Sequence, residues 1–242
     1  MPNILAFISL FFALSVLNTV QAKTIDSEFS AYEETVIRVP YDWSWSLETT
    51  FLKPLGVGPF PLVILNHGKT LGDAHRQPRY RPMVPVREFL KMGYAVAIPM
   101  RLGFSKSDGN YVQIGCNVES DGYRQSESIY MTAKYFKAQP YIRSNQILLV
   151  GHSYGGFVSL ATAAKYPDLA LGVINFSGGL KKTTEGCLWS SELGQAISSY
   201  GKIIKAPSLW MYAENDEIFS NFLVRRLYDS FKLAGGKVEL SL

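Results

Sequence analysis

The stretch LLVGHSYGGF, residues 148–157, decides the fold. QILLVG (146–151) is a continuous apolar run that reads as a buried strand. From Ser153 to Tyr166, Phe157, Leu160, Ala161 and Ala164 recur on one helical face. A Gly-x-Ser-x-Gly set between a strand and a helix is a tight turn that lifts the Ser153 Oγ clear of the backbone. Gly151 and Gly155 permit the close approach of strand and helix that such a turn demands. Two blander readings compete. A serine N-cap beside Gly-rich loop chemistry would use the hydroxyl locally, and a phosphate loop would need a Gly-Lys-Ser/Thr that does not follow.

The same strand-to-helix grammar extends in both directions. TVIRVPYD (35–42) alternates as a strand, and PLVILN (61–66) and YAVAIPM (94–100) are apolar enough for strands buried on both faces. LALGVINFSG (169–178), SLWMYAEND (208–216) and KVELSL (237–242) supply the remaining strands. Helical patterns fall between them: a short one around Val86, Phe89 and Leu90, and a long one from about Glu119 to Gln139. Others run around residues 192–204 and 223–231. This alternation predicts a doubly wound, mostly parallel α/β sheet with helices on both faces, as a single domain over residues 23–242. Ligands of such sheets bind beyond the carboxyl ends of the strands, so the residues after each strand are the ones to interrogate.

Residues 1–22 read separately. An apolar stretch from Ile4 to Leu17, short for a membrane span, leads to Val20-Gln21-Ala22, the pattern of a secretory signal peptide cleaved after Ala22. The mature chain is expected in the periplasm or secreted, with no stable membrane insertion. Export gives Cys116 and Cys187 an oxidising surrounding in which they can form a disulfide; two unpaired thiols are the alternative. The net charge of +4 is mild and its cations are interleaved with acids, which argues against a nucleic-acid partner. No metal-ligand spacing or cofactor motif is visible, so neither metal nor cofactor is expected. Composition does not fix an oligomeric state.

Ser153 at the turn is the candidate nucleophile. The helix N-terminus behind it offers backbone N–H groups to a developing oxyanion, Tyr154 N–H among them. NHGKTLG (66–72), after a buried strand, offers the convergent second donor, Lys69 N–H, with Gly68 allowing the sharp turn. His67 beside it reads as an orienting or packed residue. Asp216, at the carboxyl end of a later strand, suits the acid that orients an imidazole; Glu214 is the fallback, and capping of the next helix the alternative. Arg76, Arg79 and Arg81 could meet an anionic substrate group or simply form a solvated loop face. Trp189 could line the pocket or sit in the core.

In these motifs the sequence resembles the alpha/beta-hydrolase superfamily, in particular its dienelactone-hydrolase-like secreted members, over roughly residues 35–242. NHG, RLGFSKSDG, VGHSYGGF and LWMYAENDEIF come in the order that superfamily uses. The resemblance implies hydrolysis of a small ester, lactone or amide, a small-molecule carbonyl substrate. Ser153 would be the nucleophile, Asp216 the acid, and Lys69 and Tyr154 the oxyanion donors. Arg101, Gly103 and Ser105 match a turn that is structural more than catalytic.

One partner is missing. In this fold the histidine follows nucleophile and acid, yet the three histidines are His67, His75 and His152, and none follows Ser153. His152 lies on the turn itself and is expected to aim away from Ser153 Oγ; His75 sits in the GDAHRQPRYRP loop. Without a base a serine is an ordinary alcohol. The fold is therefore expected to be C-terminally incomplete, cut inside or just after an apolar strand before the catalytic histidine. A catalytically inactive exported binding protein with the same crevice is the alternative.

Overall fold

A computed structural model describes residues 21–23 and 31–242. Nearly all of the expected signal segment, residues 1–20, lies outside the described residues. The chain forms one nine-stranded sheet in the order β1-β2-β3-β5-β4-β6-β7-β8-β9. Its strands are β1 (Gln21–Lys23), β2 (Tyr32–Pro40), β3 (Ser46–Pro54), β4 (Phe60–Asn66), β5 (Ala95–Pro99), β6 (Ile142–His152), β7 (Gly172–Phe176), β8 (Ser208–Met211) and β9 (Val238–Ser241). Pairings from β1 through β3 to β5 are antiparallel, and those from β5 through β4 to β9 are parallel. The expected mostly parallel sheet is thus present, with an antiparallel flank.

The apolar runs read as doubly buried strands behave so. Side chains alternate across a strand. Leu62 and Ile64 of β4 enter one core, against α2 (Val118–Lys137), α3 (Tyr154–Lys165), α4 (Trp189–Ile203) and α5 (Asn221–Leu233). Val63 and Leu65 enter a second core with Val86, Phe89 and Leu90 of α1 (Met83–Lys91). Helix α3 is buried along its whole length apart from Lys165. Small residues let it lie flat on the sheet, and the Ser159 and Thr162 hydroxyls bond back to the Gly155 and Val158 carbonyls.

Hydropathy passes over β3. Glu48, Thr49 and Thr50 break its apolar pattern but are buried, and they join the flanking strands and loops: Glu48 N–H donates to Ser107 Oγ (2.9 Å), and Thr50 Oγ1 accepts from Arg79 (3.1 Å).

The expectation of a C-terminally incomplete sheet is corrected. β9 pairs along its whole length with β8, from Ser208↔Val238 to Met211↔Ser241, and Tyr212 N–H donates to Ser241 O (3.0 Å). Val238, Leu240 and Leu242 pack on the main core. The return is possible because Gly235 takes φ +106° and because a side chain at Gly236 would strike the Phe231 ring, 2.2 Å from its Cβ position. An apolar end of chain therefore reads here as a bound strand, since its side chains find the core that α5 leads them to.

Chain order reverses about β4: β5 pairs on one side and, after α2, β6 on the other. The register sets Asn66, Gly151 and Asn175 side by side at the carboxyl ends of β4, β6 and β7. The crevice at this switch point is bounded by the segments after those strands.

Cys116 and Cys187 are bonded, with a Cα–Cα distance of 5.4 Å, and tie the start of α2 to the start of α4. Lys182 pairs with Asp121, both side chains fully buried, while Asp121 Oδ1 accepts Ile114 N–H (2.7 Å). Replacing both cysteines by serine is expected to lower unfolding free energy by about 4 kcal/mol, the loop-closure entropy of a bridge of this span, as read from urea unfolding.

Candidate active site

Ser153 occupies φ 54°, ψ −126°, a region costly to any residue with a side chain. Four backbone hydrogen bonds hold it there. Its N–H donates to Phe176 O (2.8 Å), and its carbonyl accepts from Gly156 (2.9 Å), Phe157 (3.3 Å) and Gly179 (3.3 Å). The glycines are required by contact. A Cβ on Gly151 would lie 2.2 Å from Gly155 O, and one on Gly155 2.3 Å from Asn66 O and 2.6 Å from His67 O. Although Ser153 stands at the N-cap position of α3, its hydroxyl makes no capping bond. The side chain of a strained, partly exposed serine is thus left for other work, and the capping reading falls away.

Gly68 lies directly against it. The position of a Gly68 Cβ is 3.2 Å from Ser153 Cβ, so a side chain there would press on the serine turn. The next residue, Lys69, has a backbone N–H with no hydrogen-bond partner among the described residues, and Tyr154 N–H opens helix α3. The Lys69 ammonium turns elsewhere, to Thr70 O (3.2 Å) and over the Tyr111 ring (5.3 Å), and partial burial lowers its pKa.

His67 is an anchor of this loop. Its Nε2 accepts from Arg101 N–H (3.0 Å) and its Nδ1 lies 2.7 Å from Gly68 O, so the ring is the Nδ1–H tautomer with both nitrogens engaged. Arg101 is wholly buried, donates from Nη1 to His67 O (2.6 Å) and from Nε to Gln125 Oε1 (3.1 Å), and lies over the Phe104 and Tyr154 rings. Burial brings its pKa down to about 10. Burial, then the Arg101 charge, holds the His67 ring well below the ordinary imidazole range.

Asp216 sits in the turn after β8, where Oδ1 accepts Ile218 N–H and Phe219 N–H, both at 2.9 Å. Asp216 does not cap the next helix, whose N-cap is Ser220; the carboxylate closes its own turn, which fixes it. Glu214 is exposed. The three loop arginines do not converge: Arg76 meets Asp73 in solvent, Arg79 holds Thr50, and Arg81 pairs with Glu34 (2.6 Å). Arg79 and Arg81 tie the loop to β3 and β2, and the three do not form an anion subsite. Trp189 packs edge-on to Phe219 on the main core.

Sequence reasoning missed Asn175 and Tyr212. Tyr212 OH donates to Gly178 O (2.6 Å) and accepts from Asn175 Nδ2 (3.3 Å), holding the loop after β7 against the end of β8. The Asn175 amide oxygen is only 1.7 Å from a Cβ position on Gly178. The signal lay in the SGG after the strand, which asks for a side chain filling the space those glycines leave.

These features meet in a known pattern. Residues 61–202 match the family described as the alpha/beta hydrolase fold, and the chain belongs to that family. Solved structures agree in fold. An esterase from Pyrococcus furiosus is 19% identical with a TM-score of 0.63, covering 87% of this chain and 83% of its own. An acetyl xylan esterase from Paenibacillus sp. R4 is 14% identical with a TM-score of 0.61, covering 93% and 81%. The acylaminoacyl peptidase of Pyrococcus horikoshii reaches 0.68 at 17% identity over 87% of this chain, which spans only 36% of that longer protein. No curated protein matches the sequence. Among the described residues no helix is long and apolar enough to cross a membrane, and no cluster of three or more His, Cys, Asp or Glu is arranged to hold a metal.

Gly155→Ala is expected to cost about 1–3 kcal/mol in urea unfolding, because backbone carbonyls cannot yield as a side chain would. His67 stays neutral when folded and takes a proton when unfolded. Its contribution is full above pH 6.5 and is lost as pH falls below that value, at up to about 1.4 kcal/mol per pH unit. Urea unfolding between pH 5 and 8, with the His67 ring signals followed by NMR, checks the sign.

Proposed function

We propose that this chain is an exported serine-dependent hydrolase of a small ester, lactone or amide. The observation that carries it is the strained Ser153, its hydroxyl spared from capping, beside Gly68 and the unpartnered N–H of Lys69. In this reading Ser153 Oγ attacks the substrate carbonyl carbon. The oxygen that gains charge is met by Lys69 N–H and Tyr154 N–H, which need no reorganisation because both belong to fixed backbone. The leaving group departs, and water releases the acyl group from Ser153. Asp216 is the acid of the site. Similar structures named as esterases and as a peptidase accord with a carbonyl substrate, and the dienelactone-hydrolase-like motifs with a small one. Residues 1–22 support export to the periplasm or medium, and residues 23–242 the hydrolase domain.

A second reading is favoured by one observation: among the described residues no imidazole or carboxylate hydrogen-bonds to the Ser153 hydroxyl. An exported protein that keeps the crevice and binds without turnover fits that fact. A fluorophosphonate probe separates the two. The hydrolase reading expects one phosphonyl adduct, located on Ser153 by peptide mass spectrometry, absent in Ser153→Ala, and release of p-nitrophenol from its acetate. A folded protein that takes no label and releases none supports the binding reading.

A further inference from the structure

Strand β9 stands at one edge of the sheet, and its outer side has no partner among the described residues. The ladder to β8 fixes which backbone groups face out. Ser208 N–H donates to Lys237 O (2.9 Å) and Tyr212 N–H to Ser241 O (3.0 Å), so Lys237, Glu239 and Ser241 turn their peptide groups toward β8. Val238 and Leu240 therefore present N–H and C=O to the open edge, with no hydrogen bond there among the described residues. Such an edge is a template for one more strand.

Side chains on β9 alternate across the sheet. Val238 and Leu240 pack on the main core, while Lys237 and Glu239 are exposed on the opposite face. Neither of these charges has an ion pair among the described residues, and the β8 neighbour of Glu239 is the apolar Leu209. Leu148, Ile174 and Leu209 lie beside both in a groove of about 480 Å³ on that face. On the helix side the edge is open too. A groove of about 370 Å³ runs between α5 and β9, lined by Arg225, Tyr228, Asp229, Leu240 and Leu242.

We propose that β9 is the surface through which two copies of this chain associate, their β9 strands pairing antiparallel about a two-fold axis at Val238. A two-fold contact must be self-complementary. Lys237 and Glu239, opposite in sign and two residues apart, meet that condition. With Val238 opposite Val238 of the second copy, the two exchange N–H···O=C bonds across the axis. Lys237 then faces Glu239 of the second copy, twice, in the close non-hydrogen-bonded positions where cross-strand side chains interact most. The other registers that oppose outward peptide groups lack this match. Val238 opposite Leu240 sets Glu239 against Glu239, and Leu240 opposite Leu240 sets Glu239 against Ser241. Charge order selects the first. The apolar groove beside these pairs lessens their screening by water and salt. The second strand lies along the open side of the α5–β9 groove, adding Tyr228 and Leu240 to the contact.

The experiment is sedimentation velocity over a concentration series, with the fold of each variant checked by circular dichroism. The wild type should show a monomer–dimer equilibrium that weakens as salt rises. Lys237→Glu alone and Glu239→Lys alone should each weaken association by about tenfold or more, because both cross-strand pairs become like-charged. Mixing these two variants in equal amounts should restore it, since in the mixed dimer every pair is again opposite in sign. The double variant Lys237→Glu/Glu239→Lys should also associate. Val238→Pro removes an outward N–H and no bond to β8, and should leave a monomer. A wild type that stays monomeric at every concentration overturns the proposal. A dimer that survives Val238→Pro, or that the charge variants leave unchanged, overturns it as well, since association then uses another surface. Should a variant fail to fold, the wild type still decides. Hydrogen exchange at Val238 N–H should slow as protein concentration rises, and exchange indifferent to concentration overturns the pairing.

Discussion

The site depends on one close approach, the backbone of Gly155 against the carbonyls of Asn66 and His67. No atom beyond hydrogen fits on Gly155 there, so helix α3 starts in contact with the end of β4. That contact brings the Ser153 turn and the Gly68–Lys69 loop, 85 residues apart in numbering, to one place. The strain at Ser153 is tolerated because neighbouring strands over-determine it: β7 accepts its N–H through Phe176 and the loop after β7 donates to its carbonyl through Gly179.

Arg101 holds the other half of the crevice. A buried guanidinium with hydrogen bonds to the His67 carbonyl and Gln125, and with two aromatic faces in place of a carboxylate, keeps its charge at a cost that lowers its pKa. It thereby ties the end of β5 to the loop after β4 and to α2. His67, neutral and sandwiched in the same network, works as a rigid hydrogen-bonding spacer. The turn that the sequence reads as structural is structural in this direct sense.

The starts of α2 and α4 are joined differently. The Cys116–Cys187 bridge and the buried Lys182–Asp121 pair join the start of α2 to the segment before α4. A buried ion pair adds little net stability against an apolar pair of equal volume, but removing one partner alone is costly, about 3–5 kcal/mol. Such a pair favours one arrangement of these two segments over others that would leave a charge unmatched.

The element order, the doubly buried β4 and β5, and the serine turn were legible in the sequence, because apolar period and turn chemistry are local properties. β3 was not, since the partners of its buried Glu48 and Thr50, Lys106 N–H with Ser107 for the one and Arg79 for the other, come from distant loops. The bound β9, misread as an incomplete edge, depended on α5 delivering Val238 and Leu240 to the core. The candidate nucleophile and the positions of Lys69, Tyr154 and Asp216 could be named from strand ends alone. Tertiary structure decided the use of Arg79 and Arg81 as struts, the Lys182–Asp121 pairing, and the meeting of Gly68 with the Ser153 turn. Those outcomes are set by which residues meet across the sheet, and no periodicity along the chain encodes a contact between its ends.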